Sequence, residues 1–449
     1  MNISEALIED VLRIEQKALS DVDLRKAQNC LIDYLAVSFA GSRMIENKII
    51  SYASNFTSGD IRILGIDLKT DLLSSAFLHG MMSHVAELDD GHRYGMFHPG
   101  APIFSAVFPL SQTVKASKDR FFKAIVCGYQ ISIKIAQLMQ PILKMRGFHA
   151  TGIAGTIGAG IAAGVLFEFN KEQLLNTLSA CCTSASGILK VIKDGSDMKP
   201  LNVAYAAQNG ISAAMSARAG FTGTDDVLGG KWGFIQSFVD QQNISSELIM
   251  DETLQIHNIY VKPYAACRHC HAPIEGVIRL KEEYNLVPES ISGIDVETYF
   301  LAIGGHDHQE IRSVNSAKMS IPYSVAVSAL HGRADIELFD DPFISDSTVS
   351  ALTQKVRVKE DADYSARVPG QRAARVLIHT VDGKTYKKEV LLPKGEPENP
   401  VHDNELIDKF RSLLKYSGRN KKQSARLLDS IFQSDSEKLE GFIESLYNV

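Results

Sequence analysis

The sequence predicts a mainly α protein, a large all-helical domain formed by both chain ends with a smaller α+β domain inserted before the last helices. Three observations predict it. From the N-terminus to about Gly220, apolar residues recur at spacings of three and four, the period of a helix with one buried face. After about Tyr264, β-branched residues alternate or cluster as they do in strands. Beyond the polar stretch 394–404 the helical period returns. The expected domains are residues 1–264, 265–399 and 400–449. At 449 residues, 45% hydrophobic and 22% charged, the chain is too long for one small core and ordinary enough to fold without staples.

In chain order, SDVDLRKAQNCLIDYLAVSFAG, DLLSSAFLHGMMSHVAEL and KEQLLNTLSACCTSASGIL carry the helical period. The uncharged stretch from Ala150 to Phe167 approaches the length of a membrane span, but its glycines and threonines leave it only weakly apolar, which predicts a buried core helix. GIAGTIGAGIAAG and NVAYAAQNGISAAMSARAG present small-residue faces that allow close helix packing. ISGIDVETYFLAI, TQKVRVKED and RVLIHTVDGKTYKKEVLL read as strands, with Asp382-Gly383 as a hairpin turn. KGEPENPVHDN reads as a linker to the helical segments ELIDKFRSLL and SARLLDSIFQ. There is no internal repeat.

Lysine and arginine number 47 against 53 acidic residues, with no basic block, so a groove that tracks nucleic-acid phosphates has no support. A buried site for a small anion needs only a few cations and stays open. The six cysteines are scattered, and MNISEALIEDVLRIEQKALS carries acids where a signal peptide needs a basic then apolar run. A reducing cytoplasm, with neither membrane nor nucleic acid as partner, is expected.

Five strings carry candidate chemistry. Gly158-x-Gly160-x-x-Ala163 matches a dinucleotide fingerprint but lacks a preceding strand, so helix packing is the better reading. Cys267-Arg268-His269-Cys270-His271 offers metal donors but no second ligand pair, and no metal is expected. In Glu87-Leu88-Asp89-Asp90-Gly91-His92, followed by His98-Pro99-Gly100, crowded acids can raise one another's pKa toward that of a usable proton donor. His149 stands at the start of the glycine-rich helix, where free N–H groups suit a carboxylate. Lys199-Pro200 opens the next small-residue helix, and Lys262 precedes Pro263-Tyr264.

Taken in order, HVAELDD with HPG, RGFHATGIAGTIG, DMKPLNVAYAAQNG, KPYAACRHCH and KGEPENP resemble the MmgE/PrpD family over nearly the whole chain. That family comprises 2-methylcitrate dehydratases, cis-aconitate decarboxylases and iminodisuccinate epimerases. The resemblance implies a helical domain built from both chain ends, an α+β lid, a homodimer, and catalysis without metal or organic cofactor. It also implies a cleft lined by His98, His149, Lys199, Lys262 and Tyr323, with the family's C-R-x-x-H pattern met by Cys267, Arg268 and His271. The sequence departs from the decarboxylases at Glu87, where they carry aspartate, and at Gly91, where they carry threonine.

The implied reaction makes and quenches a carbanion beside a carboxylate on a small di- or tricarboxylic acid. Such a proton is weakly acidic, so its removal needs a placed base and cations for the developing charge. His98 and His149 are the expected acid and base, with Glu87 as a further acid and Lys199, Lys262 and Arg268 as cations. Asp90, His92, Arg268, His271 and Tyr323 are expected to bind substrate. Dehydration, decarboxylation and epimerisation share these needs, and a non-catalytic carboxylate binder is the competing class.

Overall fold

The structure is a computed structural model that describes residues 2–55, 59–240, 246–432 and 439–447. The fold is mainly α, as the helical period predicts. The chain forms two compact units: Met1–Leu189, Lys199–Ile259 and His402–Val449 make the first, and Lys190–Met198 with Tyr260–Val401 the second.

Among the described residues, eight principal helices of the first unit precede Ile259: α1 (Ile3–Gln16), α2 (Asp21–Met44), α3 (Leu72–Val85), α4 (Gly100–Leu110), α5 (Lys118–Met139), α6 (Ala150–Leu166), α7 (Lys171–Ser184) and α8 (Lys199–Arg218). Every residue of α6 is buried, because α4, α5, α7 and α8 surround it. Small residues make that possible: a Cβ on Gly160 would stand 2.3 Å from the Cys181 sulfur, and one on Gly80 in α3 would stand 2.5 Å from Ala204 Cα in α8. The fingerprint-like Gly158-x-Gly160-x-x-Ala163 lies inside α6, where it serves helix packing. Among the described residues no helix is long and apolar enough to cross a membrane.

Capping starts several helices cleanly. Asn2, Ser20 and Asn170 each accept a bond from the third helical residue, which bonds back to the cap. A short antiparallel pairing of Ile61–Arg62 with Lys69–Thr70 interrupts the helices, too brief to leave a periodic signal in the sequence. The helix Asp403–Tyr416 packs on α2, and its Lys409 ammonium donates to Asp33 at 2.5 Å and to the Leu88 carbonyl at 2.8 Å. The C-terminal segment thereby pins the acidic string that follows α3.

The second unit holds a four-stranded sheet of β1 (Ile291–Thr298), β2 (Val356–Glu360), β3 (Ala374–Thr380) and β4 (Thr385–Val390), in the order β2-β1-β3-β4. β1 and β2 run parallel; the other pairs are antiparallel. The β3–β4 hairpin turns at Asp382-Gly383 as expected, with Gly383 at φ +82°. The helix His271–Tyr284 covers β3 and β4 and packs against Ile321–His331.

The stretch 394–404, expected as a linker, is in part a buried clamp. Glu396 is fully buried and pairs with Arg268 at 2.8 Å, while the Gly395 carbonyl accepts from Val261 N–H at 3.0 Å. Composition alone suggests a solvated connector, because it does not show that Glu396 meets Arg268.

Candidate active site

Three structural events bring titratable groups together in the first unit: α3 ends, α6 begins, and α8 begins. At the end of α3 the chain turns through Glu87, whose φ of +55° is left-handed, a region that non-glycine residues enter at some cost. The turn aims its carboxylate inward, where it pairs with the Lys199 ammonium at the start of α8. Glu87 is 4% exposed and Lys199 7%, so the pair is almost dry. A lysine at a helix N-terminus opposes the helix dipole, so its placement there does not serve helix stability.

His84 lies in the last turn of α3, and its Nδ1–H donates to the Asp89 carboxylate at 2.7 Å. The acceptor fixes the tautomer: the lone pair of the neutral ring is on Nε2, a buried atom with no hydrogen-bond partner among the described residues. The sequence reading missed this pair. Its only signal was a histidine followed five residues on by an acid across a helix end.

His98 is fixed in the same way. Its Nδ1–H donates to the Asp90 carbonyl at 2.6 Å, so the neutral ring carries its lone pair on Nε2. Its backbone N–H donates to Thr151 Oγ1 at 3.2 Å, tying it to the first turn of α6. His149, which precedes that turn, has the opposite arrangement. The Asn202 side-chain amide donates to its Nδ1 at 2.9 Å, leaving the ring proton on Nε2. Burial, then the Lys199 charge and the two neighbouring histidines, hold the His149 pKa well below its ordinary value, so the ring is neutral at neutral pH. The His84 ring centroid is 5.0 Å from that of His98 and 6.1 Å from that of His149.

Asp90 and His92 shape the loop. Asp90 accepts from Gly100 N–H at 3.0 Å and from the Tyr129 hydroxyl at 2.6 Å, and burial with two like charges nearby pushes its pKa up to about 7. His92 Nδ1 accepts from Gly95 N–H at 2.9 Å within the turn that His92 and Phe97 close.

Lys262, Arg268, His271 and Tyr323 belong to the second unit, where all four are buried. Arg268 donates to Glu396, to the Pro393 and Lys394 carbonyls, and to His271 Nδ1 at 3.0 Å. The other ring nitrogen of His271 then donates to the Ala266 carbonyl at 3.1 Å. The Tyr323 hydroxyl donates to the Leu338 carbonyl at 2.7 Å.

Residues 5–247 match the MmgE/PrpD N-terminal domain and residues 264–433 the MmgE/PrpD C-terminal domain. Cis-aconitate decarboxylase-like protein oryM of Aspergillus oryzae is 23% identical over 92% of this chain and 90% of its own length. Cis-aconitate decarboxylase of Aspergillus terreus is 24% identical over 88% and 85%. 2-Methylcitrate dehydratase of Escherichia coli O157:H7 is 19% identical over 87% and 86%. With both domains matched in order over most of its length, the chain belongs to the MmgE/PrpD family.

Proposed function

We propose that this protein is a lyase acting on a small di- or tricarboxylic acid through a carbanion beside a carboxylate, with no metal or organic cofactor in the chemical step. The observation that carries the reading is the opposed tautomers of two imidazoles flanking His84: His98 carries a lone pair on Nε2, and His149 carries a proton there. The first nitrogen can accept a proton, and the second presents a hydrogen-bond donor to a substrate oxygen.

In the dehydration version, His98 Nε2 removes the proton from the carbon next to the carboxylate. The carbanion left behind then forms the carbon–carbon double bond as the β-hydroxyl leaves as water with the proton held by the His98 imidazolium, while the His149 Nε2–H hydrogen-bonds that oxygen and steadies the charge on it. In the decarboxylation version the bond to carbon dioxide breaks first, and an imidazole proton quenches the carbanion at carbon. Dehydration uses both histidines, which favours it on the geometry; the decarboxylase names of the relatives above keep the second version in place.

The Lys199 ammonium supplies the cation for charge developing on the substrate carboxylate, and Glu87 holds it. Asp89 and His84 position the two histidines. Asp90 and His92 act through the loop they shape. Lys262 is assigned as a further substrate cation on the family resemblance. Arg268, His271 and Tyr323, whose polar groups are engaged within their own unit, are assigned to holding its segment in place.

The test is proton NMR of the chelator-treated protein in D₂O with citrate, 2-methylcitrate, cis-aconitate and iminodisuccinate. A new product or deuterium on carbon is expected with at least one acid. Saturable binding without product or exchange would make the protein a carboxylate binder instead.

A further inference from the structure

We propose that Cys267, His269 and His306, all in the second unit, form a binding site for one divalent ion of the zinc class. One donor atom from each residue lies within 4.8 Å of the other two. Around a tetrahedral zinc, with sulfur at about 2.3 Å and nitrogen at about 2.0 Å, donor atoms stand roughly 3.3–3.6 Å apart. Side-chain rotations of about an ångström close the set around an ion.

The surroundings of both imidazoles are those of metal ligands. The His306 Nδ1–H donates to the Met319 carbonyl at 2.9 Å, which puts the lone pair of the neutral ring on Nε2. His269 Nδ1 lies 2.6 Å from the Tyr299 hydroxyl. With the ion bound, the His269 Nδ1–H donates to that oxygen and Nε2 faces the metal. The ring centroids of His269 and His306 are 4.7 Å apart.

The framework is stiff where it matters. Cys267 N–H donates to the Lys318 carbonyl at 2.8 Å, and Ile321 N–H to the His306 carbonyl at 2.7 Å. Two of the three donor residues, Cys267 and His306, thus hang from one short segment, 318–321, and His269 follows Cys267 by two residues.

A thiolate with two imidazoles selects a borderline ion of the zinc type over magnesium or calcium, which seek oxygen. Binding moves the thiol proton to solvent as the sulfur–metal bond forms, with no change of oxidation state. The set carries net charge +1 and three protein ligands, so a fourth position takes water or a carboxylate. The Cys-x-x-Cys spacing in the sequence pointed at Cys270; the structure replaces it with His306 from a remote loop.

The experiment is a cobalt(II) titration of the chelator-stripped full-length protein. One equivalent is expected to bind, with a thiolate-to-cobalt charge-transfer band and the strong visible bands of tetrahedral cobalt. Cys267→Ser, nearly isosteric, should lose the charge-transfer band, and Tyr299→Phe should weaken binding by roughly 10–100-fold. Circular dichroism checks that each variant is folded. No stoichiometric binding by the wild type, or the same band in Cys267→Ser, overturns the proposal, and a simple hydrogen-bonded cluster would then account for the three residues.

Discussion

Glu87 combines three unfavourable choices: a left-handed backbone, a buried carboxylate, and a partner at the wrong end of a helix. Functional sites are where such costs collect, which supports the role proposed for Glu87. Removing one member of a nearly dry ion pair leaves an uncompensated charge, whereas removing both charges does not. Lys199→Met is therefore expected to destabilise the protein by ~3 kcal/mol, and Glu87→Gln/Lys199→Met to recover most of that loss. Urea midpoints check this; singles that simply add in the double variant would show that the two side chains do not interact. At this scale the sequence was partly legible. Glu87, His98, His149 and Lys199 stood out by residue type, and the structure brings them into one region of the first unit. His84 did not, because the helical period places it on a buried face where a histidine reads as structural. The tautomers were invisible, since the carbonyl of Asp90 and the amide of Asn202 decide them.

At the scale of elements, the small-residue helices were the most legible feature. α6 is buried on all sides because glycine and alanine let four helices approach it, and that composition is plain in the string GIAGTIGAGIAAG. The same close approach makes these helices intolerant of added volume. Gly80→Ala places a methyl 2.5 Å from the Ala204 Cα, a backbone atom that cannot step aside. A loss of ~1–3 kcal/mol is expected. Gly441→Ala in the exposed face of the helix Leu439–Tyr447 meets nothing within 4 Å and should instead stabilise by ~0.5–1 kcal/mol. Thermal midpoints that move in the same direction for both would count against packing as the reason for these glycines. The stretch 394–404 was misread at this scale, because the burial of Glu396 depends on Arg268, a partner far away in sequence.

For the whole molecule, the switch from a period near 3.6 to a period of two, and back again, gave the mainly α class and the position of the sheet. It could not give the clamp between Lys409 and the Leu88 carbonyl, through which the last helices hold the acidic string. Nor could it join His306 to Cys267 and His269, since the folded second unit alone brings them together. The proposed chemistry divides its labour between two histidines held by different elements of the first unit.

The most direct test is deuterium exchange from D₂O into the carbon beside the carboxylate of an acid that the wild type turns over, followed by proton NMR for His98→Asn and His149→Asn. His98→Asn should lose exchange by roughly 10²–10⁴-fold, while His149→Asn should keep exchange and lose product formation. Exchange at the wild-type rate in His98→Asn would contradict the assignment.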